Sequence, residues 1–413
     1  MRTRRSVSHL EILKTQPFAS RRLIVRPCPA PTTGFATPDS PRLPAAEPFS
    51  PARNATKESY WPQLDALRAF AVLAVMAAHF SPTVHAWAPG FGIGGVRLFY
   101  VLSGFLITGI LLRCRARVTA GTSTTGFQLK QFYLRRSLRI FPAFYFTLFV
   151  AAALNMEPAR ETFWWHFFYA TNFLSAWREA WLGISAHLWS LAVEEQFYLV
   201  WPWLILFVPE RRLPWIIGLA CALGPITRLI VLTFAPGHYI AATVLTPACF
   251  DQLGGGALLA CLWHHRGAAT ALPIAGRITG LVLLFTVVPV GWLLSPGGLC
   301  GGVLLPVAES LAFVVLIDGA ARGFGGFTGA VLTSRPLLWI GQISYGLYLL
   351  HNFSHWWAPR VMRQLTHYRQ AYFANELLHV LFLVALSFCA ATISWFLLER
   401  PLNRLKSRLG YAA

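Results

Sequence analysis

Arg68 and His79 stand eleven residues apart in an apolar stretch that begins Leu64-Asp65-Ala66-Leu67-Arg68-Ala69. In a helix, eleven steps of 100° bring the two side chains within about 20° of one face, about 16 Å apart along the axis. Such a stripe can hold an anion at its guanidinium end and move a proton at its imidazole end, because histidine titrates near neutrality. The competing reading is an Asp65–Arg68 pair at the lipid headgroups with a histidine at the opposite interface. A second stripe is formed by His187, Ser190, Glu194 and Tyr198, which recur at i, i+3, i+7 and i+11 and so share a helical face. Glu194 and Glu195 are adjacent, so at most one of them joins that face. Glu194 is the one, and a carboxylate withdrawn from water can orient or charge-balance a histidine; otherwise the two acids anchor helices through buried hydrogen bonds. Ser344, Tyr345, Tyr348 and His351 form a third polar stripe, of a kind also common in the aromatic belts at helix ends. Finally, Arg135, Arg136 and Arg139 follow a loop that already holds Arg113, Arg115, Arg117 and Lys130. Arginines in this arrangement suit bidentate recognition of phosphate, although anchoring at an anionic membrane surface predicts the same residues.

The elements that must position these residues are hydrophobic. The 413 residues are 55% hydrophobic and only 12% charged, well below the roughly 25% charge of soluble domains. Apolar runs of membrane-spanning length recur at approximately 64–80, 95–112, 138–154, 189–208, 213–234, 241–263, 278–294, 302–320, 336–357 and 377–398, which predicts an all-α polytopic membrane protein with about ten transmembrane helices. Placing the N-terminus in the cytoplasm puts 27 of the 35 Lys and Arg residues on that side, five opposite, and Arg68, Arg97 and Arg228 within the membrane. This asymmetry fits the positive-inside rule with both termini cytoplasmic, and it accounts for much of the net charge of +19 without nucleic acid as a partner. Residues 1–60, rich in Pro, Arg, Ser and Thr, read as a disordered basic tail, residues 61–400 as the transmembrane domain, and 401–413 as a short basic tail. The seven cysteines show no CxxC pair, metal-ligand spacing or disulfide framework, so no metal is expected. Charged groups in a bilayer core cost at least ~2.5–3.5 kcal/mol each on insertion scales. Those present therefore mark candidate function: Asp65, Arg68, His79, Arg97, Glu194, Glu195, Arg228, Asp251, Glu309, Asp318 and Glu399.

Seven segments, in order, resemble motifs of the acyltransferase 3 family. They are Leu64–Ala69 with His79, Leu98-Phe99-Tyr100-Val101-Leu102-Ser103-Gly104-Phe105-Leu106-Ile107, Arg135-Arg136-Ser137-Leu138-Arg139-Ile140-Phe141-Pro142, and His187 through Pro202. Then come Phe250-Asp251-Gln252-Leu253-Gly254-Gly255-Gly256, Ile343-Ser344-Tyr345-Gly346-Leu347-Tyr348-Leu349-Leu350-His351 and Leu398-Glu399-Arg400-Pro401. Tyr100 stands where the family often has phenylalanine. The resemblance implies a ten-helix fold in the bacterial inner membrane. It further implies transfer of an acyl group from a cytoplasmic acyl-CoA, commonly acetyl-CoA, to a hydroxyl on an extracytoplasmic glycan or related acceptor. Some members carry a further esterase-like domain after an eleventh helix. A chain ending at Ala413 is expected to lack it, and so to finish transfer in the membrane part or pass the acyl group to another protein.

The expected mechanism is direct transfer with His79 as general base and Glu194 orienting or supporting it, while Arg68, Arg135, Arg136 and Arg139 hold the donor phosphates. Ser103, Tyr345 and His351 are expected to line the substrate cavity. Leu102-Ser103-Gly104 lacks the Gly-x-Ser-x-Gly elbow of a serine nucleophile. The alternative class is a transporter or flippase for a glycan or lipid intermediate, since intramembrane charge also marks transport paths; no internal repeat supports it.

Overall fold

The computed structural model describes residues 60–267, 272–294, 298–364 and 375–408. The expected N-terminal tail, save Tyr60, and residues 409–413 lie outside the described residues. Every regular element among those described is helical. The long ones are α1 (Pro62–Phe80), α2 (Phe91–Thr119), α3 (Thr125–Ala153), α4 (Leu188–Phe207), α5 (Leu213–Phe234) and α6 (Phe250–Arg266). After them come α7 (Ile274–Leu294) and α8 (Cys300–Arg322), then α9 (Arg335–Gln342), α10 (Ser344–Leu350) and α11 (Ser354–Gln364) in close succession. The last is α12 (Glu376–Leu405), whose helix runs on to Arg408. Local chemistry sets several starts: Pro62 opens α1, where its missing N–H costs nothing. Thr124 and Asn375 cap α3 and α12 by accepting the Phe127 and Leu378 amides, each at 3.2 Å.

Helices cover all ten expected segments, but only six, α1, α2, α5, α7, α8 and α12, are both long and apolar enough to cross a membrane by themselves. The count of ten is therefore not confirmed, while the all-α membrane architecture is. The four that fall short do so for identifiable reasons. Lys130, Arg135, Arg136 and Arg139 charge the first half of α3, and Glu194-Glu195-Gln196 interrupts α4. Helix α6 has only 17 residues, and the ninth segment is broken into α9, α10 and α11. Burial separates centre from rim. The most apolar windows of α1 and α2 are 56% and 67% buried against other helices, whereas those of α5 and α7 are each 17% buried. The first two form the middle of the bundle, and the second two turn their apolar surface outward, as lipid contact requires.

Two glycines let α2 and α6 touch backbone to backbone. A Cβ on Gly104 would fall 1.9 Å from the Leu253 carbonyl oxygen, and one on Gly256 would fall 2.0 Å from that of Val101. Close approach through small residues is a principal way for helices to associate in lipid, where apolar burial supplies no drive. Several of the intramembrane charges become structural in this bundle. Arg228 donates two hydrogen bonds to Asp251, at 2.9 and 2.6 Å, joining α5 to α6. Arg97 pairs with Glu309 between α2 and α8, and Trp292 donates to the same carboxylate at 2.5 Å. Asp318 pairs with Arg322, lies 3.8 Å from Arg277, and accepts from Trp263 at 2.9 Å.

Orientation is checked by cysteine reporters in a background without exposed native cysteines. A cysteine at the exposed position Arg178, between α3 and α4, is expected to react with impermeant reagents outside intact cells. One at the exposed Thr122, between α2 and α3, is not. Labelling of the Thr122 reporter would invert the topology.

Candidate functional site

Of the charges that remain after the structural pairs are set aside, Arg68 and both Glu194 and Glu195 line one cavity of about 780 Å³, its open mouth included, enclosed by α1, α2, α3, α4 and α10. At one end stand Arg68, Arg136 and Arg139. Arg68 lies 3.3 Å from Asp65. Arg136 sits over the Tyr198 ring at 5.3 Å, yet neither Arg136 nor Arg139 makes a hydrogen bond or ion pair among the described residues. Three guanidiniums gathered at a low-dielectric wall, two of them with their hydrogen-bonding edges uncommitted, form a strong attractor for anions. Arg135 is buried and does not line the cavity; it lies 100° around α3 from Arg136, on a side of the helix turned to other partners.

Glu194 faces these arginines and is held by two hydroxyls: Ser103 donates to Oε1 at 2.9 Å and Tyr198 to Oε2 at 2.7 Å. Tyr198 and Ser103 are also 3.0 Å apart. The result is a closed triangle of Ser, Glu and Tyr from α2 and α4. Glu194 makes no hydrogen bond to His79, so it does not orient that ring by direct contact. Tyr345 lines the cavity with its ring, while its hydroxyl donates to the Ile140 carbonyl at 2.8 Å, fixing α10 against α3.

A polar chain leads from the other end of the cavity to His79. Ser190 and Tyr348 line the cavity and share a hydrogen bond of 2.5 Å. The Tyr348 hydroxyl donates to the His187 carbonyl at 3.2 Å, and the His187 ring packs edge-on against His351 at 4.8 Å. His351, fully buried, lies with Nε2 3.2 Å from Nδ1 of His79. Carbonyl oxygens only accept, and this assigns the protons. His351 Nδ1 approaches the Tyr348 carbonyl at 2.7 Å and must donate to it, which leaves Nε2 as the acceptor of the neutral ring. His79 Nδ1 approaches the Val75 carbonyl at 3.0 Å and donates too, its proton shared between Val75 and His351. The lone pair of a neutral His79 is therefore on Nε2, which has no protein partner among the described residues, on a side chain that reaches the surface.

The family model described as an acyltransferase domain, that of acyltransferase 3, matches residues 61–398. The chain belongs to the acyltransferase 3 family. Among similar proteins, peptidoglycan O-acetyltransferase OatA of Listeria monocytogenes is 33% identical over 327 residues, 71% of this chain and 49% of the relative. O-acetyltransferase OatA of Staphylococcus aureus is 29% identical over 328 residues, 71% of this chain and 50% of the relative. The chain thus spans about half the length of these relatives. No solved structure matches it. The acyltransferase 3 match takes in every cavity residue named above together with His79 and His351.

Within this acyltransferase 3 domain, the α1 stripe puts Arg68 in the cavity and His79 beyond it, and the α4 stripe puts Ser190, Glu194 and Tyr198 on one wall. Tyr198 was visible as a stripe member, although its position in the Glu194 triangle was not. The partnership of His79 with His351 had no signal in the sequence, since 272 residues separate them. Among the described residues no group of three His, Cys, Asp or Glu side chains is placed to hold a metal ion.

Proposed function

We propose that this protein is a membrane-bound O-acyltransferase that moves an acyl group, acetyl in the simplest case, from a cytoplasmic acyl-CoA to a hydroxyl on an extracytoplasmic glycan or related acceptor in the bacterial inner membrane. The observation that carries the reading is a single polar path. It has two guanidiniums that make no hydrogen bond or ion pair among the described residues at one end and, at the other, a histidine whose free nitrogen is fixed by its neighbours. Family membership and the names of the relatives point the same way.

In this reading Arg68, Arg136 and Arg139 hold the donor's phosphates and the cavity receives its thioester arm. The acceptor hydroxyl oxygen forms a bond to the thioester carbonyl carbon as the carbon–sulfur bond breaks. Its proton passes to Nε2 of His79 and then to the departing thiolate, so CoA leaves as the thiol. His351 takes the orienting part first expected of Glu194. Glu194 balances the arginine charge and fixes the Ser103 and Tyr198 hydroxyls on the donor side. Ser103 remains a cavity residue, its hydroxyl committed to the carboxylate.

The test is reconstitution of purified protein in liposomes with labelled acetyl-CoA on one side and a soluble glycan acceptor on the other. Acceptor acetylation with release of free CoA is the expected outcome. Movement of a glycan or lipid intermediate without acylation would instead show a transporter.

A further inference from the structure

Outside the cavity, a second depression of about 760 Å³, wide open to its surroundings, is lined by Tyr60, Asp65, Arg335, Leu338, Trp339 and Gln342. It adjoins the arginine end. A Cβ on Gly341 would fall 2.0 Å from the Asp65 carbonyl oxygen, so α9 is pressed onto the first turn of α1. The chain then continues into α10, which carries Tyr345 and Tyr348 to the cavity. Both hollows are therefore built on α1 and the α9–α10 segment. Asp65 in the depression and Arg68 in the cavity are one helical turn apart and in contact at 3.3 Å.

The chemistry of this depression is that of a nucleotide site. Arg335 is exposed and makes no hydrogen bond or ion pair among the described residues, so its whole guanidinium fork is available for a phosphate. Trp339 is held against Trp395 and Phe396, with ring centroids at 6.4 and 6.1 Å, and Tyr60 is 67% exposed. Aromatic rings placed in this way offer stacking surfaces to a base. Gln342 is exposed and can present its amide to the N6 and N7 edge of adenine, as glutamine does elsewhere.

We propose that this depression holds the 3′-phosphoadenosine end of the acyl-CoA donor, with Arg335 on the 3′-phosphate, Trp339 or Tyr60 against the adenine and Gln342 on its edge. The diphosphate then meets Arg68, and the pantetheine arm runs into the cavity toward Glu194. The assignment rests on the reading of the donor as acyl-CoA given above.

The experiment compares acetyl-CoA, its 3′-dephospho form and acetyl-pantetheine as donors for the purified full chain, in wild-type, Arg335→Ala and Gln342→Ala forms. In the wild type, loss of the 3′-phosphate is expected to lower kcat/KM by about tenfold, the size of one charge-assisted contact. In Arg335→Ala the KM for acetyl-CoA should rise to meet that of the dephospho donor, so that the two become indistinguishable. Gln342→Ala should narrow the preference for acetyl-CoA over an analogue carrying hypoxanthine, while keeping the effect of the 3′-phosphate. Rates with acetyl-pantetheine, which lacks every part these residues would touch, report whether the rest of the protein is intact. An Arg335→Ala protein that still discriminates the 3′-phosphate overturns the proposal. So does one impaired equally with all three donors and only in vesicles containing anionic lipid, since Arg335 would then be a headgroup anchor. A wild type that acylates from no CoA ester at all sinks the donor reading itself, a result distinct from either.

Discussion

Replacing His79 by alanine is expected to leave the protein inserted and able to bind its donor while lowering acceptor acylation by about 10²–10⁴-fold, the usual contribution of a positioned general base. Removing the ring opens no central void, because His79 reaches the surface at the end of α1, beyond the cavity and its arginines. His79→Gln keeps a polar group of similar reach but cannot take the proton, and should be nearly as inactive. The hydrogen bond from His79 Nδ1 to His351 Nε2 adds a second arm to the experiment. His351→Ala removes the acceptor that helps hold the His79 proton on Nδ1, and should cost about tenfold, the order of one hydrogen bond. His351→Gln, whose amide oxygen can accept the same bond, should recover much of that loss. Equal losses in the two variants would mean that His351 serves packing alone. Turnover by His79→Ala or His79→Gln at the wild-type rate would remove His79 from the chemistry and turn attention to Glu194.

The second large effect concerns the donor. Arg136→Ala and Arg139→Ala should each raise the KM for acetyl-CoA by about 10–100-fold, because each deletes a charge-assisted contact to phosphate in a poorly screened wall. The kcat should change much less, since neither arginine lies at the His79 end. Arg135→Ala is the informative control. Arg135 precedes Arg136 in the same basic run, but it is buried away from the cavity, so its loss should affect folding or insertion and leave the donor KM in place. If all three variants lower only the amount of inserted protein, the run is a topological anchor, and the phosphate reading fails. If Arg135→Ala alone raises KM, the cavity has been assigned to the wrong wall of α3.

Three of the elements most altered between sequence and structure, α3, α4 and the broken ninth segment, carry walls of the site. Six helices can be read as spans from composition alone, and of these α1 and α2 also line the cavity. The remainder, α3, α4, α6 and the broken α9–α11 run, are too charged, too short or too interrupted to stand as spans on apolarity. Two of them, α3 and α4, lose apolarity by carrying residues the cavity uses, Arg136 and Arg139 in one and Glu194 in the other. A protein that places polar chemistry inside a bilayer has to weaken the signal by which its helices are recognised.

What the sequence by itself determined was whatever depends on one helix at a time. The periodicity of 3.6 residues per turn put Arg68 and His79 on one face of α1, and Ser190, Glu194 and Tyr198 on one face of α4. These pairings survive because neighbours on a helix stay neighbours however it packs. Only the tertiary structure decided what each face meets. Packing of Gly104 on Leu253 and of Gly256 on Val101 sets the depth of α2 against α6, and the separate packing of α2 on α4 brings Ser103 to Glu194. The break between α9 and α10 lets one part of the segment press on Asp65 while the next brings Tyr348 and His351 inward. Glu194 was therefore claimed by Ser103 and Tyr198, and His79 by His351, in place of the Glu194–His79 link that residue chemistry alone had favoured. Side-chain type states which partner a group can accept, but the rotation and depth of separate helices settle which partner lies within 3 Å, and these are properties of the whole bundle.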